Sequence, residues 1–256
     1  MKQVFWAVMI AICPAAVMAQ DVFFLGETHD NPGHHVQQAE RVAALKPMAL
    51  VFEMLTREQA EKVTDELRLD AEALSQALEW EQSGWPDFAM YFPIFESAPG
   101  AKVFGAGLPR RDVMRLMKEP VEEVFGPSAE EYGLTIALPK AQQDAREEMQ
   151  LAAHCNALPI ELLPEMVGMQ RLRDAALARA VVQAIDATGG PVVVITGNGH
   201  ARKDWGAPVY LAKRAPDLEI YALGQGEEGA VAPAGEFDEI SYSPPAERED
   251  PCNAFK

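Results

Sequence analysis

Short unbroken apolar runs alternate with longer stretches of helical spacing along most of the chain. Residues 22–25, 48–52, 101–106, 192–196 and 218–223 are apolar runs of strand length, several of them closed by glycine. Runs of this kind predict strands buried on both faces of a parallel sheet. Between them, residues 32–45, about 60–80, 140–155, 164–188 and 208–215 carry apolar residues at helical spacing. The alternation predicts an α/β fold: a mostly parallel central sheet flanked by helices, with a helical insertion or subdomain. The domain is expected to cover residues 20–224, with the insertion at roughly 56–100 and 119–165. Residues 225–256 carry Gly, Pro, Glu and Asp without periodicity and predict an extended acidic tail.

The polar residues that interrupt this pattern collect where strands should end. After residues 22–25 comes Gly26, expected to turn the backbone, then Glu27, Thr28, His29 and Asp30. Asn31 is a good N-cap and Pro32 suits the first helical position, so His34 and His35 fall in a first helical turn. They point about 100 degrees apart, so one of the two is expected to face the sheet's rim. Glu53 follows the second apolar run. His200 follows the fourth, in Thr196-Gly-Asn-Gly-His200. In an open α/β sheet ligands sit beyond the carboxyl ends of the strands, so these loops can meet at one rim. Three of the chain's five histidines lie in the first loop. Glu27, His29, Glu53 and His200 are the candidate catalytic groups, and Glu27, His29, His35 and His200 the candidate metal ligands. Imidazole with carboxylate suits Mn, Fe, Co or Zn.

Composition changes this picture in three places. The formal net charge of −17 argues against nucleic acid and anionic membrane surfaces, which need a basic face. Residues 1–19 carry Lys2, an apolar stretch too short for a full span, and Val17-Met18-Ala19, so they predict a signal peptide cleaved after Ala19 and a periplasmic mature protein. Removing them leaves Cys155 and Cys252, a number that permits one disulfide in an exported chain; two free thiols, or Cys155 as a ligand beside His154, are the alternatives.

The stretch GETHDNPGHH at the start and GNGHARKDWGAPVYL toward the end resemble the ChaN-like family of bacterial haem- and iron-associated proteins, in the wider Tiki/TraB and erythromycin-esterase-like group. Residues 169–180, MQRLRDAALARA, resemble the family's Gln-x-x-x-Asp helix, which moves Gln170 and Asp174 toward the site. The resemblance implies haem or iron as ligand, iron acquisition as role, a homodimer that stacks haems between subunits, and an outer-membrane uptake receptor as partner. It also implies tyrosine ligation of haem. Tyr91, in the aromatic segment 85–95, is the candidate, with Tyr132, Tyr210, Tyr221 and Tyr242 open; the segment reads either as a small aromatic core or as an apolar pocket wall. Arg110, at a third strand end, is the candidate partner for a ligand carboxylate such as a propionate. Many ChaN-like proteins are lipoproteins, but no lipobox precedes Cys13.

Two functions compete on these residues. One is a periplasmic haem- or iron-binding protein. The other is a metal-dependent hydrolase like the Tiki proteases or the esterases, with Glu27 or Glu53 as general base and His200 or a metal ion such as Mn, Co or Zn polarising the target. A metal-stabilised scaffold without activity is the third. No Ser, Cys or Thr sits in a recognisable nucleophile turn, which disfavours a covalent hydrolase.

Overall fold

The computed structural model describes residues 20–249, 252 and 253. Among these, six strands form one sheet: β1 (Val22–Glu27), β2 (Ala49–Phe52), β3 (Lys102–Gly105), β4 (Val192–Gly197), β5 (Ile220–Glu227) and β6 (Glu239–Ser243). Their order is β3-β2-β4-β1-β5-β6 and every pairing is parallel. The helices are α1 (Pro32–Leu45), α2 (Arg57–Ala60), α3 (Ala71–Ala77), α4 (Phe88–Glu96), α5 (Arg110–Arg115), α6 (Val121–Phe125), α7 (Lys140–Ala153), α8 (Leu163–Thr188), α9 (Asn198–Ala201) and α10 (Ala207–Arg214). The expected α/β class and parallel sheet are what the chain adopts. The expected signal peptide, residues 1–19, lies outside the described residues.

Alternate residues of each strand feed two separate cores. Phe23, Leu25, Leu50, Phe52, Val193 and Ile195 pack with Val42 of α1, Leu74 of α3, and Tyr91 and Phe95 of α4. Val22, Phe24, Ala49, Val51, Val192 and Val194 pack with Leu172, Ala175 and Val181 of α8 and Leu211 of α10. Most of these side chains have no exposed surface, which explains why the strands read as unbroken apolar runs rather than alternating ones. Burying each such Val, Leu or Phe contributes about 1.5–3 kcal/mol.

The register brings the strand ends together. Leu25 lies opposite both Ile195 and Leu223, Glu27 lies opposite Gly197, and Phe52 lies opposite Ile195. Asn31 caps α1 as expected, its side chain accepting from the amides of Gly33 and His34. Gly26 does not turn the chain: β1 runs on through it to Glu27. A Cβ there would meet Asn198 Oδ1 at 2.5 Å and the Leu223 carbonyl at 2.8 Å. The glycine therefore lets the loop after β4 lie against β1.

Three stretches differ from their expected form. The helical spacing of residues 60–80 does not build one helix, because Thr64 and Asp70 accept from backbone amides of Leu67 and Ala73 and start new turns instead. The aromatic segment forms α4 and is core: Phe88, Tyr91 and Phe95 pack around Trp80 and Phe52. Residues 225–256 are not simply a tail, since β5 extends to Glu227 and residues 239–243 add an edge strand. That strand keeps Ile240 and Tyr242 partly exposed, so it joins through backbone pairing and polar anchors rather than a buried apolar face. Glu239 binds Arg41 and the Tyr221 hydroxyl, and Arg248 binds Asp30 and Glu227. Cys155, just past α7, is disulfide-bonded to Cys252, with Cα atoms 5.5 Å apart.

Candidate functional site

Glu27 takes the last position of β1 on the face already occupied by Phe23 and Leu25, so it enters the α1 and α4 side of the sheet. Its side chain is fully enclosed. A carboxylate buried there needs donors. The Tyr91 hydroxyl donates to Oε1 at 2.8 Å, and His29 Nδ1 lies 2.7 Å from the same oxygen. His35 Nδ1 is 3.4 Å from Oε2, and neither of those two atoms has a hydrogen-bond partner among the described residues. His35 Nε2 instead meets the His29 carbonyl at 2.8 Å, which fixes the loop that carries His29. His34 turns the other way, to the Gly226 carbonyl and the Thr28 amide. As expected of adjacent helical positions, only one of the pair reaches the carboxylate.

His29 is the open member of this group. With Nδ1 on Glu27, its Nε2 has no hydrogen-bond partner among the described residues, and a third of the side chain is exposed. The ring meets Trp85 edge-on at 4.8 Å. Burial alone would lower its basicity, but the Glu27 hydrogen bond and the charges of Glu53 and Glu27 outweigh it and raise its pKa. Gly197 lies beside it. A Cβ at Gly197 would stand 3.0 Å from His29 Nε2 and 3.8 Å from Glu53 Oε2, so the missing side chain is what lets these groups gather.

The second acidic group forms on the α8 side. Thr196 Oγ1 and the Gly197 amide donate to Glu53 Oε2 at 2.6 and 2.9 Å. His200 Nε2 is 3.5 Å from Glu53 Oε1, and His200 Nδ1 is 2.7 Å from Asp174 Oδ1 on α8. Burial would raise the Glu53 pKa, but the His200 and His29 charges and the two hydrogen bonds bring it down to about 2. Burial would lower the His200 imidazole, yet Glu53 and Asp174 hold it up at about 9. Burial dominates at Asp174 and raises it, against the pull of His200. His200 is thus a cation clamped between two carboxylates.

A cavity of about 360 Å³ opens over both groups. Glu27, His29, Asp174 and His200 line its floor; Arg146, Gln150, Gln170, Val167, Met149 and Trp205 line its walls. Glu53 lies instead in a second hollow with Trp85 and the exposed Arg110, whose side chain makes no hydrogen bond or ion pair among the described residues. Tyr91, the expected axial tyrosine, has no exposure, and burial next to Glu27 raises its pKa, so it serves as the donor that holds the carboxylate. None of the five tyrosines lines the cavity. The expected four-ligand metal set does not come together as one binding group either: His200 holds Asp174 through Nδ1 and faces Glu53 with Nε2, His35 Nε2 is committed to the His29 carbonyl, and His35 Nδ1 faces Glu27 at 3.4 Å without a hydrogen bond. Among the described residues no group of three or more His, Cys, Asp and Glu side chains is placed to hold an ion. Sequence reasoning missed Arg146 and Trp205. Trp205 lay in the quoted GNGHARKDWG stretch, whereas nothing local distinguishes Arg146 from other helix-surface charges.

A family model described as haem-binding uptake, Tiki superfamily, ChaN matches residues 14–211. Among solved structures, that of cofacial heme binding to ChaN of Campylobacter jejuni has a TM-score of 0.65 at 20% identity, covering 83% of each chain, a likeness of fold. The type III effector HopBA1 gives a TM-score of 0.49 at 15% identity over 88% of each chain. No curated protein matches.

Proposed function

The chain belongs to the ChaN family of haem-binding uptake proteins in the Tiki superfamily, and from that membership we propose that it is an exported, periplasmic protein that binds haem for iron acquisition. The observation that carries the proposal is the family match, which spans both histidine loops. The donor set supports haem over a bare ion. A bare ion needs several convergent protein ligands, and the described residues offer no such group. Haem brings four nitrogens of its own and asks the protein for one or two axial donors.

The residues at the cavity fit that demand. His29 presents Nε2 at the floor while Nδ1 is held by Glu27, the arrangement in which a carboxylate orients an iron- or metal-ligating imidazole. Met149, Val167 and Trp205 supply apolar wall. His29 is therefore the axial candidate in place of a tyrosine. Haem supplies redox-active iron in a flat apolar ring; the protein's part is to bind, orient and shield it. A cavity of about 360 Å³ is too small to enclose the whole macrocycle. Cofacial heme binding is described for the Campylobacter jejuni protein, and we extend the proposal to a homodimer that covers the exposed part of the ring and to delivery by an outer-membrane uptake receptor.

Hemin titrated into the purified protein should give a saturable Soret shift at about one haem per chain. A spectrum that stays that of free hemin would overturn the reading. N-terminal sequencing of the exported protein should begin at Gln20; an intact Met1 in a membrane pellet would remove the periplasmic part.

A further inference from the structure

Arg146 is the residue of the cavity whose chemistry is left unfinished. It projects from the middle of α7 and is 4% exposed. An arginine stays charged under all ordinary conditions, and a charge buried to this extent is costly unless it is paired. Yet no carboxylate pairs with Arg146 among the described residues, and its Nε has no hydrogen-bond partner. Its contacts are a long 3.4 Å hydrogen bond to the Trp205 carbonyl and the face of the Trp205 ring at 5.1 Å. Asp174, a carboxylate of the same cavity, holds His200 through Oδ1 and feels the Arg146 charge, but forms no ion pair with it among the described residues.

Its neighbour Arg202 is the instructive contrast. That guanidinium also lies over Trp205, at 4.0 Å, but its Nε and a terminal nitrogen bind Asp204. One arginine of the pair is held in an ion pair by the chain, and the other has none among the described residues. Around Arg146, Gln150 and Gln170 line the cavity, and their side-chain amides make no hydrogen bonds among the described residues. Gln150 is itself 4% exposed. Together they offer an anion a fork of guanidinium donors with further amide donors beside it, a geometry that suits a carboxylate.

We propose that Arg146, with Gln150 and Gln170, is the seat for a carboxylate of the bound ligand, so that the cavity selects an anionic tetrapyrrole by one of its propionates. The assignment rests on the haem reading above and moves the propionate contact from the exposed Arg110 to a buried cation.

The test compares hemin with hemin dimethyl ester, whose propionates carry no charge, on the wild-type protein and on Arg146→Met and Arg146→Lys. Wild type should prefer hemin over the ester by about ten- to hundredfold, the range of a charge-assisted hydrogen bond. Arg146→Met should lose hemin affinity by a similar factor and leave the ester unchanged, and Arg146→Lys should recover part of the preference. The wild-type comparison needs no variant, so misfolding of Arg146→Met does not leave the question open. Equal affinity of wild type for the two porphyrins would overturn the carboxylate seat while leaving haem binding in place, as would equal loss of both ligands in a folded Arg146→Met. Binding of neither porphyrin by wild type would overturn the haem reading, and this inference with it.

Discussion

Glu27 and Glu53 stand at the carboxyl ends of strands on either side of β4, each is largely buried, and each meets a histidine. Their surroundings differ in what is left over. Around Glu53 the charges close on themselves: Asp174, His200 and Glu53 alternate in sign, and Thr196 and Gly197 satisfy the remaining oxygen. Around Glu27 the hydrogen-bond partners are the Tyr91 phenol and the His29 imidazole, His35 stands 3.4 Å off without a hydrogen bond, and His29 keeps a nitrogen facing the cavity. The comparison teaches that the number of acids and histidines at a strand end does not mark the ligand-binding half. Under the proposed function the unfinished valence does, while the closed half ties the carboxyl ends of β2 and β4 to α8 through Glu53, His200 and Asp174.

The comparison is tested most severely by removing one histidine from each half. His200→Ala leaves Glu53 and Asp174 buried without their cation and should cost about 3–5 kcal/mol in chemical denaturation. His29→Ala removes a side chain that is one-third exposed and should cost under about 1 kcal/mol. Equal losses would mean that the two halves are structural alike.

The pH dependence of stability should carry the signature of the closed half. Glu53, held at about 2 against an ordinary 4.5, contributes stability present above about 4.5 and lost as pH falls toward 2. His200, held at about 9 against 6.5, contributes stability present below 6.5 and lost as pH rises toward 9. The raised Asp174 works against the acid loss and softens it. Wild type should therefore be most stable between about pH 4.5 and 6.5 and lose a few kcal/mol toward pH 9. His200→Ala should lose most of this alkaline loss and keep the smaller part that belongs to the raised His29; an undiminished loss would place its origin elsewhere.

Smaller effects belong to the open half. Tyr91→Phe removes one donor from Glu27 Oε1 while His29 remains, and should cost about 1–2 kcal/mol with haem affinity reduced only a few-fold. A total loss of haem binding would restore Tyr91 as an axial ligand. Gly197→Ala brings a methyl to about 3.0 Å from His29 Nε2. The ring can shift, so stability should change by under about 1 kcal/mol, but hemin affinity should fall several-fold; unchanged affinity would separate His29 from the ligand.

Much of this was legible because the signals are local. The strands are unbroken apolar runs, Asn31-Pro32 announces α1, and the acids and histidines follow the runs directly. Asp174 needed the family resemblance, since in sequence it sits among arginines and reads as an ion-pair centre; its partner His200 comes from another element. Arg146 carried no signal, because its burial arises from where α7 lies relative to α8 and the loop of Trp205. β6 was hidden for the opposite reason: it buries little, and its pairing is by backbone groups that every sequence has.

The central claim is that the open imidazole of His29 receives the haem iron, and hemin titration of wild type beside His29→Ala, followed in the Soret band across pH, tests it most directly. Because a proton competes for Nε2 and the His29 pKa is raised, wild-type affinity should weaken as pH falls through a value above 6.5. His29→Ala should lose the saturable shift or keep a weakened one without that pH dependence, in a protein that remains folded. A His29→Ala protein that binds hemin as tightly as wild type, with the same Soret spectrum, would contradict the account.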